Sequence, residues 1–240
     1  SLSMIFLPVF IYSVYKYLYN HKLRYIPLMV FTFLLMELCH LGYAGMVAIA
    51  VIIYGIVYII QKGRKKAVLD VVISMIFGFM LLGIWLVASL RGGITSLDNS
   101  ENMANFFQNL WITINPFERL TRGFEYFYFG FAALVVIVFG ILFGYKKSRT
   151  GFVTGFIILL MTTKSAYAVL KHLPGSQYLW MLRFISIALC MILMSFLMWD
   201  RLKKTLVLML CVLLVVDTIP SLSLIVGEHN DISVQERMAA

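Results

Sequence analysis

Three places in the chain combine residue types that can do chemistry with sequence where such residues are costly. The first is Met36-Glu-Leu-Cys-His-Leu-Gly-Tyr-Ala-Gly-Met46, where Glu37 and His40 interrupt a strongly apolar run. One helical turn apart, they are expected to share a helix face. A carboxylate beside an imidazole can raise its proton affinity or take a proton from a hydroxyl. The second is Arg183, in Lys171-His-Leu-Pro-Gly-Ser-Gln-Tyr-Leu-Trp-Met-Leu-Arg-Phe184. It falls about two turns into an apolar segment that begins near Gln177, a depth at which a guanidinium needs an anion, a carboxylate or a polar cavity. The third is Phe117-Glu-Arg-Leu-Thr-Arg-Gly-Phe-Glu125. On a helix Glu118 pairs with Arg122. Arg119 and Arg122 either hold a phosphate, whose geometry suits guanidinium, or snorkel at a membrane interface. Lys164 and Asp217 also sit in apolar sequence but near segment ends, where snorkelling or a terminal cap accounts for them.

Other chemistries are excluded by pattern. The chain has no P-loop, GxSxG, HExxH or dinucleotide fingerprint. Its four histidines, His21, His40, His172 and His229, are scattered and make no zinc set by spacing. Cys39, Cys190 and Cys211 lie in apolar runs without CxxC spacing and read as small packing residues. No metal or cofactor is implied. The net charge of +9 comes in short clusters between apolar runs rather than in a basic patch interleaved with aromatics, so nucleic acid is not the expected partner.

The elements that must position these residues follow from composition. Of 240 residues 62% are hydrophobic and 13% charged, with a mean hydropathy of +0.92. Soluble domains carry roughly a quarter charged residues, so this is an integral membrane protein in contact with lipid. The expected fold class is all-α: a polytopic transmembrane helix bundle of about eight spans. They fall at 2–19, 25–41, 44–60, 68–90, 125–144, 151–169, 177–198 and 205–221. The second and third come from one apolar stretch, Tyr25 to Gln61. As a single helix it would run roughly 55 Å against a hydrocarbon core of about 30 Å, so it must turn, with Gly42–Gly45 the expected place. That puts Glu37 and His40 near one membrane surface, where both are satisfied at the interface or line a cavity opening outward.

Alternate loops hold Lys16/Lys22/Arg24, Lys62/Arg64/Lys65/Lys66, Lys146/Lys147/Arg149 and Arg201/Lys203/Lys204, thirteen of the twenty basic residues. Basic loops mark the cytoplasmic side. A bacterial cytoplasmic membrane is then expected, crossed many times, with both termini and the Glu37–Gly45 turn outside. The start at Ser1 without an initiator Met, and the polar tail 227–240, suggest a segment of a longer protein whose single transmembrane domain here is 1–226. The one long outer loop, 91–124, places Met103, Phe106, Phe107, Leu110, Trp111 and Ile114 on a single stripe. This predicts an amphipathic helix lying at the interface. Its amide-rich opposite face suits hydroxyl-rich ligands such as sugars, or serves a plain lid. Ala44/Ala48, Gly140/Gly144 and Gly151/Gly155 have helix-contact spacing.

Three stretches together carry a resemblance. Glu37-Leu-Cys-His-Leu-Gly-Tyr-Ala44 resembles a Leu-Ser/Thr-His-Pro-x-x-Ala turn. Phe79 to Gly93 resembles a Phe-Trp-Leu-x-Pro-x-Leu span end, and Leu173-Pro to Arg183-Phe184 a Leu-Pro…Arg-Phe span start. In this order they are similar to bacterial 6-pyruvoyl-tetrahydropterin synthase-related integral membrane proteins, which look akin to GT-C glycosyltransferases using lipid-linked sugars. Leu41 stands where the turn has Pro, and Ala88 where the span end has it. The resemblance implies candidate roles for His40 and Arg183 and a catalytic carboxylate upstream of Ser1. The pterin connection of the family label finds no zinc-binding His set here.

The expected function is therefore part of a membrane glycosyltransferase-like protein. It would take a polyprenyl-phosphate sugar on the extracytoplasmic side, in cell-envelope or exopolysaccharide glycosylation. A flippase for a lipid-linked glycan and a non-catalytic scaffold of an envelope-assembly complex are the alternatives.

Overall fold

The computed structural model describes residues 2–91, 130–144, 146–163 and 183–199, with isolated positions from 166 to 217. Among these the fold is all-helical. The helices are α1 (Ser3–Asn20), α2 (Tyr25–Cys39), α3 (Leu41–Lys62), α4 (Lys65–Arg91), α5 (Phe131–Phe143), α6 (Lys146–Met161) and α7 (Phe184–Leu197). The interfacial helix expected in the loop 91–124, Glu118, Arg119, Arg122 and the tail 227–240 lie outside the described residues.

Each helix forms because its apolar residues recur at helical spacing with one stripe turned inward. In α1 the buried stripe is Leu7, Phe10, Ile11, Val14, Tyr17 and Leu18; in α7 it is Phe184, Ile187, Ala188, Met191 and Ile192. The outward faces are equally apolar. On α4, Leu69, Ile73, Ile76, Phe77 and Met80 form one exposed stripe, as do Ile52, Ile56 and Ile60 on α3. A surface so built is stable only against hydrocarbon or another protein. In lipid, helices associate by close packing rather than by the hydrophobic effect. The α6–α7 crossing shows how: side chains added at Gly151 and Gly155 would strike Ser195 and Ile192 of α7.

α3 is central. It packs against α2 and α4 on one side and α6 and α7 on the other, while α1 closes the bundle between α2 and α7. α2 and α3 form a hairpin: α2 starts just after His21 at the end of α1, and Arg64 just beyond α3 returns to His21. The hairpin was expected to turn at Gly42–Gly45. Instead those four residues are helical and the break is the single residue His40, extended at φ −167°, ψ 95°. His40 can do this alone because its own side chain caps the helix that follows.

The structure bears on the eight expected spans only in part. Among the described residues, α3 and the Lys65–Gly83 part of α4 are the helices long and apolar enough, by length and composition, to cross a membrane. Among the other described helices α5 has 13 residues, α7 14, α2 15 and α6 16. Thirteen residues rise roughly 20 Å, short of a hydrocarbon core of about 30 Å. The apolar runs are longer than the helices because backbone breaks cut them. Gly130 at φ +112° begins α5 and Gly144 ends it, whereas the apolar run suggests 125–144.

Candidate functional site

At the tip of the α2–α3 hairpin, one residue closes two helices. The backbone N–H of His40 donates to the Met36 carbonyl at 2.9 Å, finishing α2. Its ring Nδ1 accepts from the Tyr43 backbone N–H at 3.1 Å, and its carbonyl accepts from the Ala44 N–H, starting α3. The first N–H groups of a helix lack intrahelical acceptors, and a capping side chain supplies one. His40 does here what Ser, Asp or Asn does more often.

The cap bears on the other ring nitrogen. The Tyr43 N–H also lies 3.1 Å from the His40 carbonyl, and in the tautomer whose Nδ1 accepts from it the one proton of a neutral imidazole sits on Nε2. Nε2 faces Nη1 of Arg183, which lies 143 positions away in sequence at the N-cap of α7. A guanidinium nitrogen is only ever a donor. In that tautomer both nitrogens carry protons, at a helix N-terminus whose dipole adds further positive potential.

The surrounding hydrogen bonds hold this geometry. Ser186 Oγ, one turn along α7, donates to the Arg183 carbonyl at 2.8 Å. Its proton being so engaged, the 3.1 Å contact with Tyr43 has the tyrosine O–H donating to Ser186 Oγ. The Tyr43 ring is fully buried, so the start of α3 is pinned to the start of α7 beside the His40–Arg183 pair. Neither Tyr43 nor Ser186 stands out in the sequence. The signal that could have found Ser186 is its spacing of three from Arg183, and for Tyr43 its spacing of three from His40.

Of the sequence candidates, the structure brings together His40 and Arg183. Arg183 directly precedes α7, which begins at Phe184; residues 177–182, on which its expected depth in a span depends, lie outside the described residues. Glu37 is 2% exposed, and its Oε2 has no hydrogen-bond partner among the described residues. It does not share a helical face with His40, because α2 ends at Cys39 and His40 turns away. A buried carboxyl oxygen without a partner carries a desolvation penalty. At the same end Asp217 Oδ2 accepts from the Ala132 N–H at 2.9 Å, which makes it the cap of α5. Among the described residues no three His, Cys, Asp or Glu side chains converge as a metal site would require.

No curated protein and no solved structure matches the chain. Residues 1–225 match the family described as 6-pyruvoyl-tetrahydropterin synthase related domain, a membrane protein. That match takes in the His40 turn and Arg183 alike, and it agrees with helices whose outward faces are apolar. Covering nearly the whole chain, it establishes that the protein belongs to the 6-pyruvoyl-tetrahydropterin synthase-related family of membrane proteins.

Proposed function

We propose that the chain is part of a GT-C-like membrane glycosyltransferase and that the His40–Arg183 end binds the phosphate of a polyprenyl-phosphate sugar. The observation that carries this reading is the convergence of two nitrogen-bearing side chains: His40 and Arg183, 143 positions apart in sequence, meet through Nε2 and Nη1 at the start of α7. A phosphate oxygen beside the pair can take a charge-assisted hydrogen bond from the guanidinium. In transfer, the bond from the anomeric carbon to the phosphate oxygen breaks and the acceptor hydroxyl forms the new one, its proton passing to a carboxylate base. The polyprenyl phosphate leaves with an added negative charge that Arg183 and His40 are placed to stabilise. By likeness to GT-C enzymes the base belongs to a first outer loop upstream of Ser1, with Glu37 a second candidate. Arg119 and Arg122, with Glu118, form a further candidate phosphate contact in the outer loop. The reading includes a multi-pass arrangement of about eight helical segments, the basic loops cytoplasmic and the His40 tip outside. α2, α5 and α7 would have to be completed by flanking residues or by local thinning of the bilayer.

The test uses the full-length protein in nanodiscs, with farnesyl phosphate and farnesol as probes. The phosphate should bind and the alcohol should not, and Arg183→Ala should abolish the difference. Equal binding of both probes removes the phosphate site. Transport of a labelled lipid-linked glycan across liposomes without bond cleavage would replace the transferase by a flippase acting through the same pair.

A further inference from the structure

At the opposite end of α3, 22 residues from His40, the two-residue turn to α4 opens on a cleft of about 410 Å³. That lies within the roughly 300–1,000 Å³ of ligand clefts. Its walls carry His21, Arg64, Lys65 and Lys66, with Asp70 as the acid among its lining residues. The turn is tight because Gly63 takes φ +69° and donates its N–H to the Ile59 carbonyl at 2.7 Å, closing α3. Three consecutive basic residues are thereby delivered to one concavity. His21 closes α1 in the left-handed conformation, φ 52°, unusual for a residue with a β-carbon, and its Nε2 meets Nη1 of Arg64. Here the imidazole is free to accept, so the contact orients the guanidinium. Asp70 is engaged elsewhere: its Oδ2 accepts the Tyr17 hydroxyl at 2.6 Å.

We propose that this cleft is a second anion site, which takes a phosphate mono- or diester group with Arg64 as the bidentate contact and Lys65 and Lys66 as point charges. These basic residues are exposed but share one open concavity, with one cation held by a histidine and the local carboxylate already hydrogen-bonded. Guanidinium and ammonium groups so grouped match phosphate oxygens. The group comes either from the headgroup of an anionic lipid or from free phosphate. The site lies at the far end of the bundle from Arg183 and does not rest on the transferase reading.

The experiment places the full chain in phosphatidylcholine nanodiscs with and without phosphatidylglycerol and measures retained lipid by native mass spectrometry. Phosphatidylglycerol should be retained roughly tenfold or more over phosphatidylcholine, since a basic residue near the surface contributes about 1 kcal/mol. Arg64→Ala/Lys65→Ala/Lys66→Ala should remove the preference. Lys22→Ala/Arg24→Ala/Lys62→Ala takes the same charge from the same end without touching the cleft and should leave it. All six positions lie at helix ends or turns, and a thermal melt of each variant confirms folding. Titrated inorganic phosphate that displaces the lipid identifies free phosphate as a ligand; undisturbed lipid identifies the headgroup. Equal losses in both triple variants, or equal retention of the two lipids by the native chain, would overturn the proposal.

Discussion

The two ends of the helix bundle are built from different balances of donors and acceptors. At the basic end the polar groups are numerous and largely satisfied by each other. Tyr58 donates to the Leu18 carbonyl at 2.6 Å, Tyr17 donates to Asp70, and Tyr19, Thr150 and Gln61 form a chain joining α1, α6 and α3. Arg149 donates to the Ile141 carbonyl at the end of α5, a favourable place for a cation. At the other end the charged groups among the described residues are few and half-buried or buried. There His40 meets Arg183, and Glu37 has a carboxyl oxygen without a partner among the described residues. Among the described residues exposed charge is thus grouped at the basic end, while at the other a few half-buried groups converge from distant parts of the chain. That convergence, rather than the amount of charge, marks the end with the stronger claim to chemistry.

The largest expected break of this contrast is Arg183→Ala. Hydrogen bonds to charged groups are worth about 1.5–3 kcal/mol, so farnesyl phosphate binding should fall roughly ten- to hundredfold. The melting temperature should hold, because the cap of α3 is made by Nδ1 of His40 and not by the guanidinium. Arg149→Ala should do the reverse: it uncaps the Ile141 carbonyl and leaves binding intact. Binding titrations and thermal melts on the two variants would tell the ends apart, and a binding loss in Arg149→Ala alone would invert the assignment.

Glu37→Leu should act in the opposite direction on stability. Removing a buried polar group with an unmet oxygen relieves a penalty of about 1–3 kcal/mol, so the melting midpoint should rise. Transfer by the full-length protein should fall if Glu37 lines the cavity. A higher melting temperature with unchanged transfer would take Glu37 out of the site and leave it as a burden of packing.

His40 allows the cap and the ligand contact to be separated. His40→Ala loses both, including a cap worth about 1 kcal/mol. His40→Asn keeps a side-chain acceptor for the Tyr43 N–H and loses Nε2. Stability should be close to native in Asn and reduced in Ala, while phosphate binding falls in both. Native binding by His40→Asn would show that Nε2 has no part in it.

How far the sequence could lead depends on the kind of information each feature carries. The cost of ionisable groups among apolar residues is local, and it singles out His40, Glu37 and Arg183 without any structure. That His40 meets Arg183 is not local, since the contact spans 143 positions and depends on how α3 and α7 cross. The turn shows the same limit. Two glycines made Gly42–Gly45 look like the break, but a histidine whose ring can cap the next helix needs no glycine. The bounds of α5 are hard to read for a related reason, because apolarity continues through Gly130 and Gly144 although α5 stops at both. The basic loops were legible throughout. Their grouping into a cleft was not, because it needs the left-handed Gly63 and the return of His21 to Arg64.

The smallest effects offer the sharpest comparison. Tyr43→Phe and Tyr58→Phe each delete one buried hydroxyl from α3, one at either end of the helix. Interhelical hydrogen bonds within membranes average about 0.6 kcal/mol, so both variants should melt slightly lower and by similar amounts. Their effects on binding should part. Without the Tyr58 hydroxyl the Leu18 carbonyl loses a donor, and nothing near Arg183 moves. Without the Tyr43 hydroxyl, Ser186 loses the bond that anchors it to α3, and Ser186 is what holds the Arg183 carbonyl. Farnesyl phosphate should therefore bind several-fold more weakly to Tyr43→Phe and normally to Tyr58→Phe. Ser186→Ala should reproduce the Tyr43→Phe result, and the two changes together should cost little more than either alone, because residues in one network couple. Additive losses would mean that Tyr43 and Ser186 act separately and that the tip is not positioned through this relay.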